Sequence, residues 1–172
     1  MRIRENIAAL LIFTAFVCAA TPTSPSRPLR LAIMDIELTG DLGGPELTPE
    51  HEARARMASD RLRAELGRTQ LYEIADNARA QETIRRFEAI QYLHQCNGCE
   101  LDIARALGAE QVLVAWVHRV SNLILALNYE IRRTPSGTVV ARNSFSFRGD
   151  NDPAWMHAVD SLVEDLRERG IR

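Results

Sequence analysis

The sequence predicts a single α/β domain, with one mixed five-stranded sheet, helices packed on it, and the element order β-α-β-α-α-β-β-β-α. Three observations carry this. Two short apolar strand candidates near the start flank a long amphipathic segment, which makes a parallel βαβ unit with a right-handed crossover. Three strand-like runs later follow one another across short turns, the pattern of an antiparallel meander. About 150 residues remain after the leader, enough to bury a core without staples.

The first strand is "LRLAIMDIEL", an apolar run with β-branched residues that ends near Glu37. The loop "TGDLGGPEL" follows, with three glycines and a proline. Thr48 is then expected to cap a helix with Pro49 at its first position and Glu50 and Glu52 in the acid-favouring first turn. Ala53, Met57, Ala58, Leu62 and Leu66 form its apolar stripe, and Gly67 is expected to end it. "QLYEIAD" is the second strand, and Asp76 caps a second helix expected to run to about Leu93, with Ile84, Phe87, Ile90 and Leu93 as a narrow stripe. After "HQCNGC" comes the third helix, "ELDIARALG", with Gly108 in the left-handed closing position.

"EQVLVAWVHRV", "LILALNYEIRR" and "TVVARNSFSF" are the meander, turning at "SN" and "TPSG". The first two carry apolar residues on both faces, which suits central strands. The expected sheet order is second-first-third-fourth-fifth. Asp152 and Pro153 open the last helix, and Trp155, Val159, Leu162, Val163 and Leu166 line its buried face.

Residues 1–20, "MRIRENIAALLIFTAFVCAA", read as a signal peptide: Arg2 and Arg4, an uncharged apolar run, then small residues. That run is too short for a span of about 20 residues. Residues 21–28 form a flexible Pro/Ser-rich leader and residues 29–172 the domain. Val17 before Cys18 argues against a lipobox, so the expected location is the periplasm without a lipid anchor. Removal of residues 1–20 takes away Arg2, Arg4 and Glu5, leaving 19 basic against 22 acidic residues and a formal charge of −3. Such a domain has no electrostatic footprint for nucleic acid or an anionic membrane. All 21 basic residues are arginine, a bias that GC-rich coding also produces.

The chemistry-bearing motif is "HQCNGCE". Glu100 stands where a c-type haem hook needs histidine, so haem attachment is excluded. In an oxidising compartment Cys96 and Cys99 are the two thiols left after signal removal, and a structural disulfide is the favoured reading. Two alternatives stay open: a thiol–disulfide redox pair, and a metal clip of His94, Cys96 and Cys99. No other cofactor is expected. His51 and His118 have no nucleophile pattern beside them, and no catalytic residue is assigned. Asp35, Glu37 and Asp41 gather where a change of strand order would fall, a place for a cation site or simply a turn.

Arg119, Ser121 and Asn122 at a tight turn, with Arg148, Asp150 and Trp155 at a loop-to-helix junction, are the expected interaction surface, because exposed Arg and Trp anchor interfaces. The competing reading makes Asp152 a cap, Trp155 core and Arg148 an ion-pair partner of an aspartate.

"LAIMDIEL", the helix ending "LRAELG", "QLYEIAD" and "ALGAEQVLVAWV" together resemble periplasmic modules of the curli-assembly CsgG and TolB N-terminal type. "VHRVSNLILALNYEIRR" and "FRGDNDPAW" resemble a proteobacterial secreted family of unknown function. The resemblance implies a non-catalytic binding module of the envelope, whose partner is another envelope protein. It leaves the oligomeric state open.

Overall fold

The structure, a computed structural model, describes residues 27–170. The signal peptide, most of the leader and Cys18 lie outside the described residues. The elements are β1 Leu29–Ile33, β2 Glu37–Gly40, α1 Thr48–Thr69, β3 Tyr72–Ile74, α2 Gln81–Glu88, α3 Cys99–Ala106, β4 Gln111–Arg119, β5 Leu125–Arg133, β6 Val139–Phe147 and α4 Asp152–Arg169. Short 3-10 turns cover Pro45–Leu47, Asn77–Ala80 and Leu93–Gln95.

The sheet runs β3-β1-β4-β5-β6, with β1 parallel to β3 and β4 and the meander β4-β5-β6 antiparallel. That is the predicted order, with a sixth strand added. The expected first strand breaks in two, and β2 pairs with β4 beyond β1. Ile33 lies opposite Leu113 and Glu37 opposite Trp116, so four steps on one side face three on the other. One extra residue is a β-bulge, and it shifts the side-chain alternation. Leu31, Ile33, Ile36 and Leu38 therefore share one core, while Glu37 turns to the opposite face.

α1 and α4 cover one face of the sheet, where Leu62, Leu66, Trp155 and Leu162 pack against Leu113, Leu127 and Ile131. α2 and α3 cover part of the other, packing Ile84, Ile103 and Leu107 on Ala32, Met34, Val112 and Val114. Each fully buried side chain of this size contributes about 1.5–3 kcal/mol.

Several local expectations are corrected. Thr48 makes no side-chain cap; the turn Pro45–Leu47 leads into α1, which passes Gly67 and ends at Gln70 in the left-handed region, φ 57°. Ala58, Leu62 and Leu66 are buried as expected, but Ala53 is exposed and His51 takes a place on the stripe. Asn151, not Asp152, caps α4, its side chain accepting from the Ala154 N–H at 3.1 Å. α2 stops at Glu88, leaving Ile90 exposed and Leu93 buried in a separate turn. The "SN" turn widens to residues 120–124, and β5 starts at Leu125 with one face buried, so Leu123 and Ile124 fall outside it.

Candidate interaction surface

β2 and β4 run parallel and finish side by side at Gly40 and Arg119, where β5 begins and β6 ends. The loops 41–47, 120–124 and 148–151 are thereby brought to one end of the sheet. Gly40 permits this closure: its φ is 95°, and a Cβ there would meet the Arg119 carbonyl oxygen at 2.1 Å.

Beneath these loops lies the Asp150 carboxylate, its side chain 8% exposed. Arg119 Nε donates to it at 2.8 Å, Arg54 Nη1 at 2.9 Å and Trp155 Nε1 at 3.0 Å, with His51 Nε2 at 3.2 Å. Burial would raise its pKa, but the Arg119 and Trp155 hydrogen bonds and the charges of Arg54 and His51 hold the carboxyl below the usual range. Arg119 also donates to the Asp41 carbonyl and, at 2.7 Å, to Asn122 Oδ1. The Asp150 N–H donates to the Asn122 carbonyl at 2.9 Å. The carboxylate thus ties α1, β4 and the start of α4 together, and the Asp150 N–H and Arg119 add the 120–124 loop.

Glu37 is a second buried carboxylate. It accepts from the N–H groups of Leu93 at 2.5 Å and His94 at 3.1 Å, and from the ring at His94 Nδ1, 2.5 Å. The His94 ring stacks on Trp116 at 4.5 Å between centroids, with Tyr92 tilted against it at 5.5 Å. Segment 89–95 is so fastened to the β2–β4 pair.

The large exposed hydrophobic side chains among the described residues are Leu42, Ile90, Tyr92, Val120, Leu123 and Ile124. All six lie in the loops that Asp150 and Glu37 hold. Leu123 is 70% exposed and Ile90 74%.

The expected interaction residues divide. Arg119, Asp150 and Trp155 are buried side chains within one network, so they support the surface from below rather than form it. Asn122 and Arg148 are exposed and Ser121 is half-buried. No ion pair among the described residues joins Arg148 to an aspartate; Arg119 takes that place. Asp35, Glu37 and Asp41 do not converge: Asp35 pairs with Arg63, Glu37 with His94, and Asp41 Oδ1 accepts from the Gly43 N–H at 3.0 Å. His118 Nδ1 lies 3.2 Å from Thr39 Oγ1.

Cys96 and Cys99 form a disulfide with Cα atoms 5.6 Å apart, joining the Leu93–Gln95 turn to α3. Cys96 is buried, and Cys99 is the first residue of α3 and half-buried. With both thiols bonded to each other, the metal clip lacks its two thiolate ligands here. Among the described residues no three His, Cys, Asp or Glu side chains are grouped to hold an ion. Glu100, 2% exposed, accepts from the Gly98 N–H and from Arg132 Nη1, both at 3.2 Å. Burial pushes its carboxyl up despite them.

Sequence reasoning missed His51, Arg54 and the Glu37–His94 pair. His51 had a signal: with Ala55, Ala58, Leu62 and Leu66 it follows the helical stripe. Glu37 had none, because the bulge that turns it inward is invisible in the sequence.

Residues 29–166 match the family described as "Protein of unknown function (DUF2380)". The chain belongs to that family. No curated protein matches its sequence. Among solved structures it is similar to the LpoB C-terminal domain of Salmonella enterica, at 14% identity and a TM-score of 0.54 over 72% of this chain and 85% of that one. Lipoprotein GNA1162 of Neisseria meningitidis matches at 13% and 0.54, over 83% and 96% of the two chains. The PelC dodecamer of Paraburkholderia phytofirmans matches at 13% and 0.52, over 86% and 91%. At these identities the likeness is one of fold. TolB of Acinetobacter baumannii also matches, with a TM-score of 0.47 that carries no weight, and kinship with curli-assembly modules is not shown. No helix among the described residues is long and apolar enough to cross a membrane.

Proposed function

We propose that this chain is a non-catalytic accessory module of the bacterial envelope, which docks another envelope protein on the loops at the carboxyl ends of β2 and β4. One observation carries the reading: four of the six large exposed hydrophobic side chains among the described residues, Leu42, Val120, Leu123 and Ile124, sit at that end, and Tyr92 lines a groove with Leu42, while the buried carboxylates beneath are consumed by structural partners. Exposed apolar groups gathered on anchored loops are what a docking surface presents. The signal-peptide pattern of residues 1–20 supports a periplasmic location, and the fold is similar to that of GNA1162, a lipoprotein, and of the LpoB C-terminal domain. PelC forms a dodecamer, so self-association is the competitor that the experiment must separate.

The test is photo-crosslinking in the native cell, with a crosslinking residue at position 123 or, at the opposite end of β5, at 133. The expected result is a heterologous envelope adduct from 123 and none from 133. Adducts from 133 alone, or none from either, refute the reading.

A second reading is thiol–disulfide exchange through Cys96 and Cys99, favoured by the placement of Cys99 at the α3 N-terminus, where a thiolate is stabilised. It requires Cys99→Ser to abolish function in cells while the thermal midpoint stays nearly unchanged.

A further inference from the structure

Between β2, the first two turns of α1 and the 89–92 segment lies a groove of about 330 Å³. Leu38, Leu42, Ala55 and Tyr92 make its apolar lining, and His51 and Glu52 close it on the helix side. Leu42 and Tyr92 are 37% and 42% exposed, so the apolar lining opens to solvent. The space accepts a few side chains rather than a folded domain.

The unpaired charge in the loop beside it is acidic. Asp41 and Glu46 stand exposed in the loop that carries Leu42 to Thr48, and neither joins an ion pair among the described residues. Glu52 projects from α1 with a single exposed partner, Arg56 at 3.5 Å. Glu88 lies at the end of α2, just before the segment that bears Tyr92. Burial raises its carboxyl, and the charges of Asp35 and Glu37 raise it further. His51 adds no free cation, because Asp150 holds its Nε2.

We propose that this groove takes a short segment of the docking partner in which apolar side chains alternate with arginine or lysine. The inference rests on the docking reading and sharpens it: the groove supplies the apolar seat, and the acidic rim selects a basic segment. An anionic lipid surface is repelled by the same rim.

The test uses the full exported chain, labelled with ¹⁵N, and three synthetic peptides of equal length built from leucine with arginine, serine or glutamate. The Leu/Arg peptide is expected to shift the amides of Leu38, Leu42, Ala55 and Tyr92 and to bind about tenfold more tightly than the Leu/Ser peptide, the Leu/Glu peptide being weakest. That preference disappears in about 1 M salt, where the Debye length is ~3 Å. It also disappears in the Glu46→Lys, Glu52→Lys variant, whose amide spectrum away from the groove stays that of the parent. Equal binding of all three peptides, shifts confined to residues 120–124, or binding to phosphatidylglycerol vesicles in place of the peptide overturns the proposal. A crosslink from position 123 with a silent groove overturns this inference alone and leaves the docking reading standing.

Discussion

Asp150 and Glu37 are both largely buried carboxylates that anchor loops, yet they are satisfied in opposite ways. Asp150 faces two arginines, a histidine and an indole N–H, of which Arg54 and His51 come from about a hundred residues away in sequence. Glu37 faces two consecutive backbone N–H groups and the ring beside them. The first balances charge and joins α1, β4 and α4. The second satisfies backbone donors that a broken helix would leave unmet, and it fixes one segment on one strand pair. Each anchor holds its own loops, and their failures should differ in size.

Asp150→Ala should have the largest effect. It leaves the Arg119 side chain, 4% exposed, without its carboxylate, and losing one partner of a buried pair costs about 3–5 kcal/mol. Urea unfolding checks this, and a loss under about 1 kcal/mol would show the cluster to be better hydrated than it looks. Acid should act through the same group. An aspartate whose folded pKa lies below its unfolded value gives stability that is fully present above the unfolded pKa, near 3.9, and lost as pH falls through the folded one. Asp165, held low by Arg169, Tyr129 and Asn143 against the upward push of burial, acts in the same sense. Urea midpoints should therefore fall below about pH 4, and Asp150→Asn should flatten that fall. Glu100 works the other way: its raised pKa favours the folded state as pH falls through it, so Glu100→Gln removes a penalty present at neutral pH.

Breaking the second anchor should cost less. Glu37→Ala strands two backbone donors at about 1–3 kcal/mol and should raise amide exchange at Leu93 and His94 without touching residues 120–124. Opening Cys96–Cys99 by Cys99→Ser should cost about 2 kcal/mol, since the closed loop is short, and denaturation with and without reductant measures it. The smallest effect on stability belongs to Leu123→Glu, within about 0.5 kcal/mol of the parent, because that side chain is already in water. Its effect on partner capture should be the largest of the set. If Leu123→Glu binds normally, the surface belongs elsewhere.

The order of strands was legible because apolar periodicity, the crossover rule and short turns act along the chain. The buried faces of α1 and α4 were legible for the same reason, as Leu62, Leu66, Trp155 and Leu162 recur at helical spacing. Errors collected where a local rule met a distant partner. Thr48 and Asp152 look like caps, yet a preceding turn and Asn151 do that work. Arg119 and Trp155 look like exposed anchors, yet Asp150 draws both inward. Leu123 and Ile124 look like strand core because "LILAL" is unbroken, but residues 120–124 cross over the end of the sheet before β5 begins.

The sequence by itself determined the fold class and the strand order, since both depend on periodicity and turns along the chain. Only the tertiary structure decided which polar groups are buried together and which apolar groups remain outside. A single bulged residue between β1 and β2 turned Glu37 inward, and Asp150 found His51 and Arg54 across a separation of about a hundred residues. Charge pairing depends on distance in space, and local spacing along the chain carries no record of it.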